Sequence, residues 1–260
     1  MENKEEYQLI FRNITKTYGN KQVLKQVSGA VPHGRITSLI GPNGAGKSTL
    51  LSIMSRLLQE DSGEMLFRDM EVKKYKTADL AKQLSILKQS NHTELRLKVR
   101  DLVAMGRFPY AKGRLQAADW QKVDEAIAFA NMEDMQDAYI DELSGGQKQR
   151  AFIAMIIAQD TEYILLDEPL NNLDMKHSVQ VMKMLRRLVD EMGKTVIIVI
   201  HEINFAAQYS DHIMVLKDGE LKHSGHVDEV IQAGVLRDVF EIEFDIVEKN
   251  CKKICNYFNL

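Results

Sequence analysis

The sequence predicts an α/β protein: a mostly parallel sheet flanked by helices, with a mostly helical lobe inserted into it. Three observations predict this. Short apolar, β-branched runs alternate along the chain with longer segments of helical period. A glycine-rich segment, Gly41–Thr49, joins one such run directly to a helix. The stretch from about Val99 to Asn131 abandons strand patterning for helical spacing.

The elements follow in order. Tyr7–Asn13 and Lys21–Val31 read as strands around a turn at Tyr18-Gly19-Asn20. Arg35–Ile40 is a short strand running into GPNGAGKST, and Lys47–Leu58 reads as a helix. Gly63–Arg68 and Leu84–Lys88 are further strands, the second ending at Gln89. Val99–Gly106 is helical, and Trp120, Val123, Ile127 and Ala130 recur at helical spacing. Glu142–Gln159 is a polar loop leading into a helix with the apolar body Ala151, Phe152, Met155 and Ile156. Tyr163–Leu166 is apolar throughout, as a central parallel strand should be. Val181, Leu185 and Leu188 stripe the next helix. Thr195–Ile200 is a β-branched strand ending at His201, and His212–Lys217 with Glu220–His223 form a strand pair around Asp218-Gly219. Beyond Val227 the pattern is hard to read.

Composition narrows the class. At 260 residues the chain suits one large α/β domain or a domain with lobes. A net charge of −3 supplies no global basic field for nucleic acid or a lipid surface. No apolar run approaches the ~18 residues of a membrane span. The polar start MENKEEYQ is unlike a signal peptide, so a cytoplasmic location is expected. Cys251 and Cys255, at i and i+4, invite a metal clip on one helix face, but lack a second ligand pair. The plainer reading is two reduced thiols near a C-terminal surface. His223 and His226 likewise fit solvated surface better than an iron site.

Three polar clusters carry the chemistry, and an open parallel sheet places such clusters at the carboxyl ends of its strands, in one crevice. The first is Gly41-Pro42-Asn43-Gly44-Ala45-Gly46-Lys47-Ser48-Thr49. It fits the phosphate-loop pattern in its required context, strand before and helix after. Gly44 and Gly46 let backbone N–H groups wrap phosphates, Lys47 reaches the β- and γ-phosphates, and the Ser48 hydroxyl ligates Mg²⁺. The second is Asp167-Glu168 at the end of an apolar strand: Asp167 suits Mg²⁺, and Glu168 suits a general base acting on water. The third is His201, able to hydrogen-bond a γ-phosphate and orient Glu168, although a lone histidine is more often structural. Gln89 can sense metal or water. Tyr18 offers a ring for adenine or packs in its turn. Leu143-Ser144-Gly145-Gly146-Gln147 forms a further oxyanion site: small residues and a hydroxyl at a helix N-terminus.

Taken together, Tyr18, GPNGAGKST, Gln89, LSGGQ, YILLDEP, Asn172-Leu173-Asp174 and His201, in this order and spacing, closely resemble the ATP-binding-cassette (ABC) ATPases from about Tyr7 to Ser224. The resemblance implies a P-loop NTPase (RecA-like) core, an antiparallel β lobe and an inserted helical lobe at about 90–145, in one domain of 7–224 with a C-terminal extension at 225–260. It implies ATP and Mg²⁺ as cofactors, and an LSGGQ that closes over ATP held by a second subunit, with Asp174 crossing that interface. Two stretches, Met105-Gly106-Arg107-Phe108-Pro109-Tyr110 and Glu168–His177, look like the ATPases of iron–siderophore importers and, less closely, of vitamin B12 and haem importers. Leu170-Asn171 departs from the wider family's Thr-Ser or Thr-Asn but stays within the siderophore pattern. The resemblance further implies integral-membrane permease partners, an indirect substrate-binding protein and a place on the cytoplasmic side of the membrane. Asn91–Tyr110 would meet the permease, with Leu97, Val99, Phe108 and Tyr110 either lining that groove or packing internally.

Two rivals remain. A soluble ABC protein of ribosomes or DNA repair would carry a second cassette with a charged linker, or a long coiled-coil insertion. A non-catalytic scaffold would not need Glu168 and His201.

Overall fold

The computed structural model describes residues 7–89, 96–111, 114–250 and 252–258. They fall into two compact units, one built from the chain up to Tyr75 and from Thr195 onward, the other from Lys76–Lys194.

The first unit begins with two long antiparallel strands, β1 (Tyr7–Tyr18) and β2 (Lys21–Pro32). β1 runs five residues beyond the expected Asn13, across register shifts that put Asn13 at φ 50°. β3 (Ile36–Ile40) is buried at every position and leads into α1 (Lys47–Met54). That helix stops short of the expected Leu58, because Arg56 turns into the left-handed region (φ 59°) with neither glycine nor proline to announce it. β4 (Ser62–Phe67) and β5 (Met70–Glu71) complete an antiparallel sheet in the order β2-β1-β4-β5.

The second unit contains α2 (Thr77–Leu80) and β6 (Leu84–Leu87), which pairs in parallel with β7 (Tyr163–Asp167). Between them in sequence lie α3 (Val99–Met105), α4 (Ala117–Phe129) and α5 (Gly145–Ala158), which pack on one another. α6 (Met175–Met192) ends on Gly193 in the left-handed region, the usual glycine stop.

Arg107 joins the three-helix cluster. It is buried, donates through Nε to Asp119 of α4 (3.0 Å) and through Nη1 to the last carbonyl of α5, Ala158 (2.8 Å). Its guanidinium lies over the Tyr110 ring, 3.9 Å from the centroid. The adjacent Gly106 lets α3 reach the α5 backbone, since a Cβ there would stand 2.1 Å from the Met155 carbonyl oxygen. The Met105–Tyr110 motif is thus largely a packing device. Val99 is buried in the lobe, Leu97 and Tyr110 are half-buried, and Phe108 is exposed. Of the expected groove, Phe108 alone is well exposed; the stretch 91–95 lies outside the described residues.

The chain returns to the first unit with β8 (Thr195–Val199), α7 (Ile203–Tyr209), β9 (His212–Lys217) and β10 (Glu220–His226). β3 pairs in parallel with both β8 and β9, and β10 runs antiparallel to β9. The turn between β9 and β10 falls at Asp218-Gly219, both at positive φ, as the sequence predicts. The tail that the pattern left unread forms α8 (Val227–Val230), α9 (Ala233–Phe240) and a hairpin of β11 (Asp245–Lys249) with β12 (Lys252–Asn256). It is core rather than appendage: Val230, Leu236, Phe244 and Cys255 join Ile40, Ile213 and Val215 in one apolar cluster. Asn204 of α7 holds β12 from both sides of its amide, donating to the Cys255 carbonyl (3.1 Å) and accepting from the Cys255 N–H (2.8 Å). Cys255 is therefore a buried strand thiol, its pKa pushed up to about 11 by burial, not a surface or helical residue. Cys251 lies outside the described residues.

Candidate functional site

In the first unit, the segment Gly41–Gly46 leaves β3 and turns at once. Gly41 (φ 142°) must be glycine, since a Cβ would stand 1.9 Å from the Leu216 carbonyl oxygen of β9. Lys47, the first residue of α1, is buried, with Nζ donating to the carbonyls of Gly41 (2.7 Å) and Pro42 (3.0 Å). An ammonium folded back onto the loop that it follows, beside helix-start N–H groups and the hydroxyls of Ser48 and Thr49, is a donor set for a polyphosphate. These groups fit ATP. Asn43 and Gly44 are exposed, and Ala45 is buried. A cavity of about 230 Å³ opens beside the loop, lined by Lys21, Gln22 and Asp218 as well as Pro42–Ala45. Tyr18 sits half-exposed at the end of β1, with Lys16 Nζ 5.9 Å from its ring centroid, so its face is not packed away as a turn aromatic would be. His201 follows β8 at an exposed bend.

In the second unit, β7 ends in Asp167, which is buried, while Glu168 turns into the left-handed region (φ 50°). A non-glycine residue pays about 1–3 kcal/mol for such a backbone, and these outliers concentrate where a side chain must be aimed. The Glu168 Oε2 accepts from Gln89 Nε2 (2.6 Å) and from Asn171 Nδ2. Gln89 and Glu168, far apart in sequence, are thereby brought together. Donation through Nε2 leaves the Gln89 Oε1 as an acceptor for water or a ligand for metal. Asn171 is a contact of Glu168 that motif reading missed: it appeared only as a departure from a pattern. The Asp167 carboxylate and the Gln89 carbonyl are each oxygen ligands of the kind that Mg²⁺ takes.

The LSGGQ segment begins α5 as a capping box. Ser144 Oγ accepts from the Gln147 N–H (3.3 Å), and Gln147 Oε1 accepts from the Ser144 N–H (2.8 Å). Because Ser144 accepts in this bond, its O–H is left to donate outward, at an exposed helix start. The Ser-x-x-Gln spacing is visible in the sequence and would have identified the box. Asp174 ends the loop after Glu168 as the N-cap of α6, and its carboxyl is held below its usual range, first by the His177 backbone N–H and then by the His177 ring.

Known proteins resemble this chain closely. The family described as ABC transporter matches residues 24–171. The petrobactin import ATP-binding protein YclP of Bacillus subtilis (strain 168) is 54% identical over 248 residues, covering 95% of this chain and 98% of its own. The petrobactin import ATP-binding protein FatE of Bacillus anthracis is 49% identical, covering 91% and 94%. Among solved structures, a dimeric bacterial ABC transporter cassette is 30% identical, with a TM-score of 0.75 and coverage of 84% and 98%.

Proposed function

We propose that this chain, which belongs to the ABC transporter family, is the ATP-hydrolysing subunit of a bacterial importer of iron–siderophore complexes. The ATPase reading is carried by one observation above the rest: a carboxylate at a strand end, on a strained backbone, aimed by two amide donors from Gln89 and Asn171. That is the preparation a general base requires. The cargo reading is supported by relatives whose names specify petrobactin import and, at 38% identity, iron(3+)-hydroxamate import. The alternatives of vitamin B12, haem or another metal chelate differ in cargo, which a cassette of this kind does not touch.

The roles divide as follows. Lys47 and the loop N–H groups of Gly41–Thr49 would bind the phosphates, and Tyr18 would stack on the base. Ser48, Asp167 and Gln89 would hold Mg²⁺. When bound, Mg²⁺ neutralises charge on the phosphate oxygens. Glu168 would accept the proton of the attacking water, and His201 would hydrogen-bond the phosphoryl group being transferred. Ser144, Gly145, Gly146 and Gln147 would meet the ATP of a second copy of this chain, with Asp174 beside them. No helix of the described residues is long and apolar enough to cross a membrane. The chain would sit at the cytoplasmic side of the membrane on integral-membrane permease subunits, which a substrate-binding protein would feed.

Glu168→Gln, which keeps the two amide contacts geometrically available, should lower ATP turnover by about 10³-fold while ATP still binds. The check is phosphate release and nucleotide binding on the same preparation. Turnover near the wild-type rate would remove Glu168 from the role of base. Loss of petrobactin uptake on deletion of the chain's gene, with uptake of B12 and haem intact, would fix the cargo class.

A further inference from the structure

We propose that His177 is a positioning residue that fixes Asp174 and the Ser144–Gln147 helix start to one another, so that the two present a single rigid surface to a partner's nucleotide. This rests on the reading above that both segments act across a dimer. Every contact involved lies within the second unit.

Asp174 Oδ1 accepts twice from one residue: from the His177 backbone N–H at 2.8 Å and from the His177 Nδ1 at 2.8 Å. A carboxylate only accepts, so Nδ1 carries the proton. The remainder of the same side chain fills the place where Gly146 has no side chain. A Cβ on Gly146 would stand 2.4 Å from both Cγ and Cδ2 of His177, and 3.0 Å from its Cβ. The collision begins at the root of the histidine, so turning the ring does not clear it. His177 must move as a whole, and with it the bond to Asp174.

Two consequences follow. Gly146 is glycine because His177 occupies its side-chain space, independently of any bound anion. Asp174 also cannot shift without disturbing the first turn of α5, where Ser144 and Gln147 form their capping box. The backbone cap from His177 N–H survives any substitution, so side-chain variants isolate the positioning contact from the start of α6.

The test uses the full chain in the Glu168→Gln background with MgATP, reading dimer formation by light scattering against ATP concentration. His177→Leu, which fills the space but cannot donate, should raise the ATP concentration for half-maximal dimerisation about tenfold. His177→Asn, whose Nδ2 can replace Nδ1 on Asp174, should stay within about threefold of the parent. Affinity for a fluorescent ATP analogue under conditions that keep the chain monomeric should be the same in all three. Should His177→Leu dimerise like the parent, or His177→Asn fail as badly as His177→Leu, the positioning role is wrong. Absence of any ATP-dependent dimer in the Glu168→Gln parent would overturn the dimer reading itself, and this one with it. A second cycle guards against misfolding of a single variant: Gly146→Ala should impair dimerisation, and adding His177→Ala should restore part of the loss. Strictly additive losses would overturn the contact as the reason for Gly146.

Discussion

Glu168 shows how a fold fixes the position of a single carboxylate. Its backbone leaves the strand in a conformation unfavourable to glutamate, and two amides of different origin meet its Oε2. Asn171→Leu removes one of the two contacts while leaving the proposed base in place. It should lower kcat by about tenfold or more with little change in KM, because an orienting contact acts on the transition state rather than on ATP binding. Steady-state ATPase kinetics distinguish this from an equal loss in both parameters, which would mean that Asn171 helps to hold substrate. The place of Glu168 just past a buried strand is legible in the sequence, since the apolar run Tyr163–Leu166 ends there. The contacts of Asn171 and His177 were not legible. They depend on a left-handed turn at Glu168 and on the crossing of two helices, neither of which leaves a periodic trace.

At the level of elements, strands were easier to read than ends. β3, β7 and β8 are buried along their whole length, and Tyr163–Leu166 of β7 and Val196–Val199 of β8 read as continuous apolar runs. The end of α1, the extension of β1 and the elements after Val227 were missed, because each is set by tertiary contact rather than by local pattern. Arg107 stands at the opposite extreme: a conspicuous motif residue whose work is to hold three helices. Its pair with Asp119 is nearly solvent-free, with side-chain exposures of 9% and 10%. Arg107→Met should therefore destabilise the helical lobe by about 3 kcal/mol, the cost of leaving a buried charge without its partner. Urea unfolding followed by circular dichroism gives the value; a loss below about 1 kcal/mol would mean that the site rearranges or hydrates freely.

On the scale of the molecule, stability should depend on pH through His212. This residue starts β9, its Nδ1 is buried without a hydrogen-bond partner among the described residues, and Ser224, His226 and Glu229 lie around it. Burial pushes its pKa down to about 4. In the unfolded chain the imidazole takes its proton near the ordinary value of about 6.5. Between these limits the unfolded state binds the extra proton, so this residue makes folding less favourable as pH falls from about 6.5 toward 4. Urea midpoints at pH 7 and pH 5 should differ less for His212→Gln than for the unsubstituted chain; an equal difference would assign the acid sensitivity elsewhere. Of the two compact units, the second is one continuous segment, Lys76–Lys194, that carries Gln89, Asp167, Glu168, the LSGGQ helix and Asp174.

The amide of Asn204 that grips the backbone of Cys255 also bears on how the molecule is made. The apolar cluster that begins with Ile40 is closed by Phe244 and Cys255, far along the chain. A ribosome delivers Ile40 long before Cys255. The first unit therefore keeps this part of its interior open until the chain has been made as far as β12, and contacts of such wide sequence separation are the slow ones to form.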